Sequence, residues 1–277
     1  MRSGADLVVS PANLAPLALS NNLVVMHDAA ALRGPGWYSA GYARWQARVL
    51  PLIARRAKAI VAPSEFSRDE IAELTGVPLE RITVIAGGVD SRFSPRADSA
   101  QAMSRLGLER PYVLTVASRV GRKNLSVLDF AARSLAADGV DVVVAGGDRP
   151  QFRSDALGEG AVRHIGYVDD ALLPGLYAGA SAFVLPSLHE GFGLTAVEAM
   201  ASGVPTVLSQ AGALPQTAME GAIYFDPLDR SQMLSQLRSA IGNRPLAKAG
   251  IERASGFTWE RCADAVDQLV GELLASK

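Results

Sequence analysis

Residues 182–205 read AFVLPSLHEGFGLTAVEAMASGVP, and this stretch decides the fold. Its first four residues, Ala182–Leu185, are apolar and predict a buried β-strand that ends before a proline. A turn containing Gly191 and Gly193 follows, and a helix is predicted to begin near Leu194. Gly203 stands where the residue after a helix C-terminus belongs, with a proline just beyond it. The stretch therefore predicts a strand, a turn and a helix in succession.

The same alternation continues along most of the chain. Seven further short apolar runs predict strands that are buried on both faces. These strands cover residues 23–26, 59–62, 82–85, 112–116, 140–145, 162–165 and 206–208, and predicted helices include residues 64–75, 124–137 and 169–178. Such regular alternation predicts an α/β fold with parallel sheets that are covered on both sides.

A break near residues 89–99 divides the chain. Residues 90–96, DSRFSPR, contain a proline and show no clear periodicity, and a new series of strands starts at Tyr112. We therefore predict one domain over residues 1–95 and a second over residues 96–257. Residues 258–275 form an amphipathic pattern, so residues 258–277 are predicted to be a C-terminal helix that packs back toward the first domain.

The composition excludes several classes of protein. With 49% hydrophobic residues, 20% charged residues and a formal net charge of −1, the chain lacks the basic excess of a nucleic-acid-binding protein. Its single cysteine, Cys262, cannot form an intramolecular disulfide, which fits a reducing compartment. No apolar run reaches the roughly 18 residues of a membrane span, and no secretory signal is recognised. We therefore expect a cytoplasmic protein.

The turn after residue 185 is the predicted ligand site, because ligands of open parallel sheets bind outside the carboxyl ends of the strands. Gly191 and Gly193 allow backbone amides to approach a ligand closely, and the N-terminus of the following helix favours an anion such as a diphosphate. Glu198 lies one turn into this helix. Since a carboxylate repels a diphosphate, we expect Glu198 to bind a neutral group rich in hydroxyls, such as ribose. Glu190, in the turn itself, is expected nearer to an attached sugar.

The spacing Glu190-x7-Glu198 within HEGFGLTAVEAMASGVP closely resembles the signature of family 4 glycosyltransferases, which are retaining enzymes of the GT-B fold. The likeness covers residues 179–229, and the upstream segments VVMHDAA, AIVAPSEFSRDEI and ERITVIAGGVD also resemble that family. It implies two Rossmann-like domains with parallel sheets. Because the chain begins at a segment that resembles the middle of the first domain, we expect the N-terminal domain to be incomplete. Its open sheet edge would then be covered, for instance in a homo-oligomer.

The resemblance also implies roles for individual residues. Glu198 would bind the donor ribose, and Glu190 would hold the donor sugar and phosphates together with backbone amides of Phe192 and Gly193. In VASRVGRKNL, Arg122 and Lys123, here called the basic pair, match residues that neutralise the departing diphosphate. The implied catalytic residues are Glu190, His27, Arg122 and Lys123.

Other implied residues contact the donor. Ser118 stands where many relatives have an arginine, so Arg119 or Arg122 is expected to replace it. His27 matches a histidine at the donor-sugar end of the first domain, and residues 164–168 match the loop beside the base. The implied donor-binding residues are Glu198, Gly191, Phe192, Gly193, Leu194, Gly166, Tyr167, Val168 and Arg119.

By this resemblance, the chain moves a sugar from a nucleoside diphosphate sugar to a saccharide or lipid-linked saccharide acceptor. The segments HDAA and RKNL lean toward mannose-like or rhamnose-like donors. The family generally needs no metal, and no Asp-x-Asp motif stands near the site, so we expect neither a cofactor nor a metal. A non-catalytic module that binds a nucleotide sugar is the alternative. A Rossmann oxidoreductase needs Gly-x-Gly-x-x-Gly, which neither Gly87-Gly88 nor Gly146-Gly147 completes.

Several of these residues also have an ordinary structural interpretation. Thr195-x-x-Glu198 fits a capping box, and Glu190 fits a solvated loop carboxylate. The basic pair fits surface cations at the start of a helix. His27 fits a hydrogen-bonded core histidine at the end of a strand.

Residues 29–64 contain no acidic side chain. Basic and aromatic side chains are interspersed there: Arg33, Arg44, Arg48, Arg55, Arg56 and Lys58, with Trp37, Tyr38, Tyr42 and Trp45. Such a surface over residues 33–58 fits peripheral contact with an anionic membrane or a lipid-linked acceptor. A solvated helix face is the alternative.

Overall fold

The computed structural model describes residues 4–147 and 160–275. Within these residues the strands form two sheets, and the chain divides into two compact units. The first unit comprises Met1–Gly88, Glu190–Phe192 and Thr258–Lys277, and the second comprises Val89–His189 and Gly193–Phe257. The chain therefore changes unit twice within residues 182–205.

The first unit is built on a parallel sheet, which has four strands among the residues that the structure describes. Its elements are β1 (Val8–Ser10), β2 (Asn22–Val25), α1 (Ala30–Arg33), α2 (Ala40–Arg56), β3 (Ala59–Ala62), α3 (Glu65–Thr75) and β4 (Ile82–Val84), in strand order β1-β2-β3-β4. α2 and α3 cover one face, where Leu50 and Ile60 are buried. The C-terminal helix, Trp259–Ala275, covers the other face, where Leu23 and Val61 are buried.

The second unit is built on a larger parallel sheet of strand order β10-β9-β8-β5-β6-β7. Its strands are β5 (Tyr112–Val116), β6 (Asp141–Ala145), β7 (Arg163–Gly166), β8 (Ala182–Leu185), β9 (Thr206–Ser209) and β10 (Ala222–Phe225). Its helices are α4 (Ser99–Leu106), α5 (Leu128–Ala136), α6 (Leu173–Ala178), α7 (Leu194–Ala201), α8 (Leu214–Ala218), α9 (Arg230–Ala240) and α10 (Arg244–Ala254), and the C-terminal helix is α11 (Trp259–Ala275).

The strand order of the second sheet reverses at β5. This strand pairs with β6 on one side and with β8 on the other. Successive connections therefore leave β5 in opposite directions, and such a reversal opens a crevice at the carboxyl ends of the two central strands. The crevice between β5 and β8 is the place where the fold itself predicts a ligand.

The predicted α/β class with two parallel sheets is confirmed, and so is every predicted strand to within one residue at each end. β1 and β10 were not predicted. The predicted helix over residues 124–137 begins later, at Leu128, because Asn124 has a left-handed φ of 53°. None of the helices in the described residues has both the length and the apolar character that crossing a membrane requires.

Candidate functional site

A pocket of about 400 Å³ lies in the second unit at the crevice between β5 and β8. One part of its wall is the segment that follows β5, including Ser118, Arg122 and Lys123. The other part is Thr195, in the first turn of α7. This volume is within the usual range for small-ligand sites. The structure therefore brings the basic pair and the predicted helix N-terminus to one pocket.

α7 begins at Leu194, as predicted, and its N-terminus carries no side-chain cap. Its N-cap is Gly193, at a φ of 91°, which favours glycine. A Cβ at this position would also lie 2.5 Å from Cδ2 of Leu214. The capping-box interpretation of Thr195 and Glu198 is wrong, because Thr195 is the second residue of the helix and not its N-cap. The first amides of α7, which have no acceptor inside the helix, can therefore bind an anion.

The basic pair lies in a short 3-10 turn, Gly121–Lys123, and not at the start of a helix. The part of the ordinary interpretation that places the pair at the start of a helix is therefore wrong. The turn is fixed by Asn124, whose Nδ2 donates to the carbonyl oxygens of Pro186 and Pro227 at 3.1 and 3.0 Å. Nη1 of Arg122 donates to the carbonyl oxygen of His189 at 2.9 Å. The basic pair is thus anchored to the loop that follows β8.

Glu198 lies on α7 and is hydrogen-bonded to a residue that the sequence did not suggest. The hydroxyl of Tyr177, which is fully buried, donates to Oε2 of Glu198 at 2.8 Å. Burial raises the pKa of Glu198 to about 7, while the Tyr177 hydrogen bond and the charge of Arg92 act in the opposite direction. Asp170 raises this pKa further. A half-buried carboxylate of this kind suits a neutral diol better than an anion.

The segment Glu190–Phe192 belongs to the first unit, where it contacts the N-terminus of α3. Oγ of Ser64 and Oγ of Ser67 both donate to the carbonyl oxygen of Gly191, at 2.6 and 2.8 Å. A Cβ on Gly191 would collide with the carbonyl oxygen of His27, so this position requires glycine. Sequence reasoning missed both serines, although they lie in a segment, AIVAPSEFSRDEI, that resembles the family.

Two ordinary interpretations fail in the first unit. Glu190 is 6% exposed and is not a solvated loop carboxylate. His27 is exposed and is not a core histidine. The ring Nε2 of His27 lies 3.1 Å from the carbonyl oxygen of Pro11, and the backbone N–H of His27 donates to Oδ1 of Asn13 at 2.8 Å. The chain immediately after β2 is therefore fixed while the imidazole stays at the surface.

The predicted base loop follows β7 in the second unit. Gly166 has a φ of 68°, and its carbonyl oxygen accepts the N–H of Gly146 at 2.7 Å. Tyr167 is 78% exposed, whereas Val168 is buried. The backbone N–H of Arg119, after β5, lies 3.4 Å from the carbonyl oxygen of Gly147, which comes just after β6. These residues therefore lie at the carboxyl ends of β5, β6 and β7.

The predicted site residues fall into one group in each unit. The first unit contains His27, Glu190, Gly191 and Phe192, and the second contains Arg119, Arg122, Lys123, Gly166, Tyr167, Val168, Gly193, Leu194 and Glu198. Within the second unit, the pocket brings the basic pair to the start of α7. Within the first, Gly191 is packed against His27. Thr195, Tyr177, Asn124, Ser64 and Ser67 were not predicted to take part.

Two α/β units, each built on a parallel sheet, with a ligand pocket at the strand reversal of one of them, are typical of the GT-B class. Comparison with known proteins supports this class. Residues 98–256 match the family described as glycosyl transferases group 1. Residues 7–93 match the family described as glycosyltransferase family 4. The chain belongs to the family 4 glycosyltransferases of the GT-B fold.

A curated relative is the O-antigen chain mannosyltransferase B of Escherichia coli. It is 30% identical over 265 residues, which cover 89% of this chain and 69% of the relative. Two other relatives match over 79% and 88% of this chain, but only over 54% and 61% of their own lengths. The chain therefore spans between 54% and 69% of the length of these three relatives.

Solved structures show the same fold. Sucrose-phosphate synthase from Thermosynechococcus elongatus superposes with a TM-score of 0.76 at 25% identity, covering 92% of this chain and 68% of that one. Anabaena HepE in complex with UDP and glucose superposes with a TM-score of 0.73 at 20% identity, covering 90% of this chain and 71% of that one.

Proposed function

We propose that this chain transfers a sugar from a nucleoside diphosphate sugar to an acceptor hydroxyl, with retention of configuration at the anomeric carbon. One observation carries the proposal. The pocket in the second unit combines a basic pair with a helix N-terminus that has no side-chain cap, and the same helix carries a half-buried carboxylate, Glu198. The first two features fit a diphosphate, and the third fits a ribose diol.

In this proposal, leaving-group stabilisation drives the reaction. The bond between the anomeric carbon and the diphosphate oxygen breaks, and Arg122, Lys123 and the α7 amides meet the charge that develops on the diphosphate. The acceptor oxygen bonds to the anomeric carbon on the same face, and its proton passes to a diphosphate oxygen. Glu190 and His27 are proposed to hold the donor sugar. The mannosyltransferase relative favours a mannose-like sugar, and the UDP complex of HepE supports a nucleoside diphosphate.

We propose that the basic pair neutralises the diphosphate without a metal ion. The test is nucleotide binding by the chain after treatment with EDTA. An unchanged dissociation constant, with no gain on adding Mg²⁺, is expected. Binding that disappears in EDTA and returns with Mg²⁺ would contradict the proposal.

The donor site is tested by thermal unfolding with UDP, GDP, ADP and dTDP. A ligand at a hundred times its dissociation constant adds about 2.7 kcal/mol, which raises the midpoint by roughly 5–10 °C. We expect one base to give this shift in the wild type, and we expect Glu198→Ala and Lys123→Ala to reduce it. Glu252→Ala, an exposed glutamate on α10, is the matched control and should behave like the wild type. The absence of a shift with all four nucleotides would contradict the donor site.

Transfer is tested separately with the nucleotide sugar of the base so identified. We expect a mannosyl or rhamnosyl product whose anomeric configuration, read by NMR, equals that of the donor. Binding without any transfer would favour the alternative, a non-catalytic module that binds a nucleotide sugar. An inverted product would contradict the retaining mechanism.

We also propose that the acceptor is a saccharide or lipid-linked saccharide, and that the basic 33–58 region contacts an anionic membrane. α2 buries Gln46, Leu50 and Ile53 on one side. Its exposed side bears Arg44, Trp45, Arg48, Leu52, Arg55 and Arg56, with Trp45 and Leu52 exposed by 42% and 47%. These residues form a stripe along the helix in which apolar and cationic side chains alternate. Such a stripe fits the headgroup region of an anionic bilayer.

In the first unit the exposed side of α2 is cationic and that of α11 is acidic, while α3, on the same sheet face as α2, exposes Glu65, Asp69 and Glu73. α2 contains no acidic residue, and the nearby Arg33 is paired with Glu70 and Glu73. α11, on the other face of the sheet, exposes the acidic side chains Glu260, Asp264, Asp267 and Glu272 and one arginine, Arg261. An anionic surface therefore attracts the exposed side of α2 and repels that of α11.

Cosedimentation with vesicles tests this contact. We expect binding to vesicles with about 30% phosphatidylglycerol, no binding to pure phosphatidylcholine, and release by high salt. Each cation near the surface contributes about 1 kcal/mol, so Arg44→Gln with Arg48→Gln should weaken binding roughly 30-fold. Arg105→Gln with Arg244→Gln removes the same charge from the second unit and should change little. If both double variants lost vesicle binding to the same extent, the binding would depend only on net charge, and the proposed surface would be contradicted.

A further inference from the structure

Tyr177 is held rigidly by aromatic neighbours at the end of α6. Its ring is fully buried, with the rings of Phe93 and Phe183 at centroid distances of 5.6 and 5.7 Å. α6 is also bonded to β5, since the hydroxyl of Tyr112 donates to the carbonyl oxygen of Leu176 at 2.7 Å. A phenol ring clamped in this way has one position for its hydroxyl.

That hydroxyl is directed at the carboxylate of Glu198, which it reaches at 2.8 Å through Oε2. Two charged groups also act on this carboxylate, namely Arg92, which attracts its negative charge, and Asp170, which repels it. Arg92 is held near Asp170 by a hydrogen bond from Nη1 to the Asp170 carbonyl oxygen at 3.3 Å. Tyr177 therefore takes one of the two carboxylate oxygens of Glu198.

We propose that Tyr177 is a positioning residue that fixes the Glu198 carboxylate for the ribose diol of a nucleoside diphosphate. The proposal rests on the donor-binding function given above. Tyr177 does not itself touch the ligand, and it acts by holding Oε2 so that Oε1 accepts a ribose hydroxyl. It is therefore a determinant of the preference for ribose over deoxyribose.

The electrostatics agree with this geometry. Burial and the Glu198 charge hold the pKa of Tyr177 well above its usual value, so the hydroxyl keeps its proton at any working pH. In return, the hydrogen bond from Tyr177 lowers the pKa of Glu198, which burial has raised. An ionised carboxylate is the stronger acceptor for a hydroxyl. Loss of Tyr177 should therefore shift the pH at which binding becomes strong to a higher value.

The experiment measures dissociation constants by calorimetry for UDP, GDP and ADP and for their 2′-deoxy forms. The wild type is expected to prefer the ribonucleotide, and Glu198→Gln is expected to lose most of this preference. For Tyr177→Phe we expect the preference to fall about 2- to 10-fold, as for one hydrogen bond of ordinary strength, because Tyr177 acts on the ligand only through Glu198. Affinity for the deoxynucleotide should stay within about 2-fold. The midpoint of the ribonucleotide pH profile should rise relative to the wild type.

Tyr224→Phe is the matched control, because it removes a phenol hydroxyl of the second unit that donates to the carbonyl oxygen of Met219 and bonds neither to α6 nor to Glu198. It should leave the ribose preference unchanged. The effect of Tyr177→Phe should also vanish in the Glu198→Gln background. A Tyr177→Phe variant that keeps the wild-type preference and pH profile would overturn the proposal and leave Tyr177 as a packing residue.

A second variant covers the case in which Tyr177→Phe does not fold. Phe93→Leu loosens one side of the Tyr177 ring while both the hydroxyl and the carboxylate remain. It should lower the ribose preference by a smaller factor, and an unchanged preference would overturn the proposal. A wild type that binds no nucleotide would instead contradict the donor site itself, so the two failures are distinguishable.

Discussion

At the scale of single residues, Glu198 shows how a site can work against stability. Its carboxyl group is half-buried on α7, and burial raises its pKa to about 7. The hydrogen bond from Tyr177 and the charge of Arg92 offset only part of this effect. A glutamate in such a place is explained by what it binds, since a neutral side chain would pack there at lower cost.

We predict that Glu198→Gln stabilises the protein at pH 8 while it loses most of the preference for ribonucleotides. The pKa of Glu198 is about 7 in the folded protein and about 4.3 in the unfolded chain. The folded state therefore binds the proton more tightly, so the free energy of unfolding falls as the pH rises from about 4.3 through 7. The free energy of unfolding of Glu198→Gln should therefore exceed that of the wild type by about 1–3 kcal/mol at pH 8 and by under about 1 kcal/mol at pH 5. Urea unfolding at the two pH values measures it. A gain that is the same at both values would show that the carboxyl group titrates normally.

At the scale of elements, α7 depends on the backbone at its first turn. Gly193 has a φ of 91°, and Leu214 occupies the space that a Cβ would need. Both conditions are met by glycine alone. The backbone at the helix terminus that faces the pocket therefore favours glycine at this one position.

Gly193→Ala is predicted to destabilise the protein by about 2–4 kcal/mol and to weaken nucleotide binding, because both backbone strain and a clash with Leu214 arise. Gly242→Ala is the matched control. Gly242 also has a positive φ, 77°, but no other residue lies within 4 Å of the place that its Cβ would occupy. It should cost only about 1–2 kcal/mol and leave binding intact. Similar losses in both variants would mean that Leu214 yields without cost.

The strands could be predicted well where the sequence is apolar and β-branched. β3, β5 and β8 were predicted with the observed ends, since they are central strands buried on both faces. β1 and β10 lie at sheet edges, and their short, mixed sequences give little signal. Residues within one local motif, such as Gly193 and the start of α7, could also be predicted.

The partners of the site residues could not be predicted in the same way. Tyr177 and Glu198 lie 21 positions apart on different helices, and Ser64 lies 127 positions from Gly191. Such pairs form only after the strands have taken their order in the sheet. The sequence around Asn124 suggested a helix, because the left-handed φ of one residue leaves no periodic trace.

At the scale of the whole molecule, each unit has its own core. In the first unit α11 completes that core, since Val266, Leu269 and Leu273 pack on Leu23 and Val61. The second unit has a separate core that includes Leu128, Val184 and Met233. The first core is therefore assembled from residues at opposite ends of the sequence.

We predict that Leu269→Asp destabilises the first unit by about 3 kcal/mol, because it places a charge against the apolar sheet face. Ala263→Asp adds the same charge to the exposed side of α11 and should cost under about 1 kcal/mol. Hydrogen exchange measures the effect unit by unit. The amides of β2 and β3 should lose protection in Leu269→Asp, while those of β5 and β8 keep theirs. Uniform loss across both sheets would refute the assignment of α11 to the first core.

The division of the chain has a consequence for protein engineering. The first unit is made of three separate stretches of sequence, one of which is the tripeptide Glu190–Phe192 inside a loop of the second. A chimera that exchanges the first unit by joining two proteins at residue 88 would take two of these three stretches from the other protein. A working exchange must instead transplant residues 1–88, 190–192 and 258–277 together, so recombination at a single crossover is disfavoured in this chain.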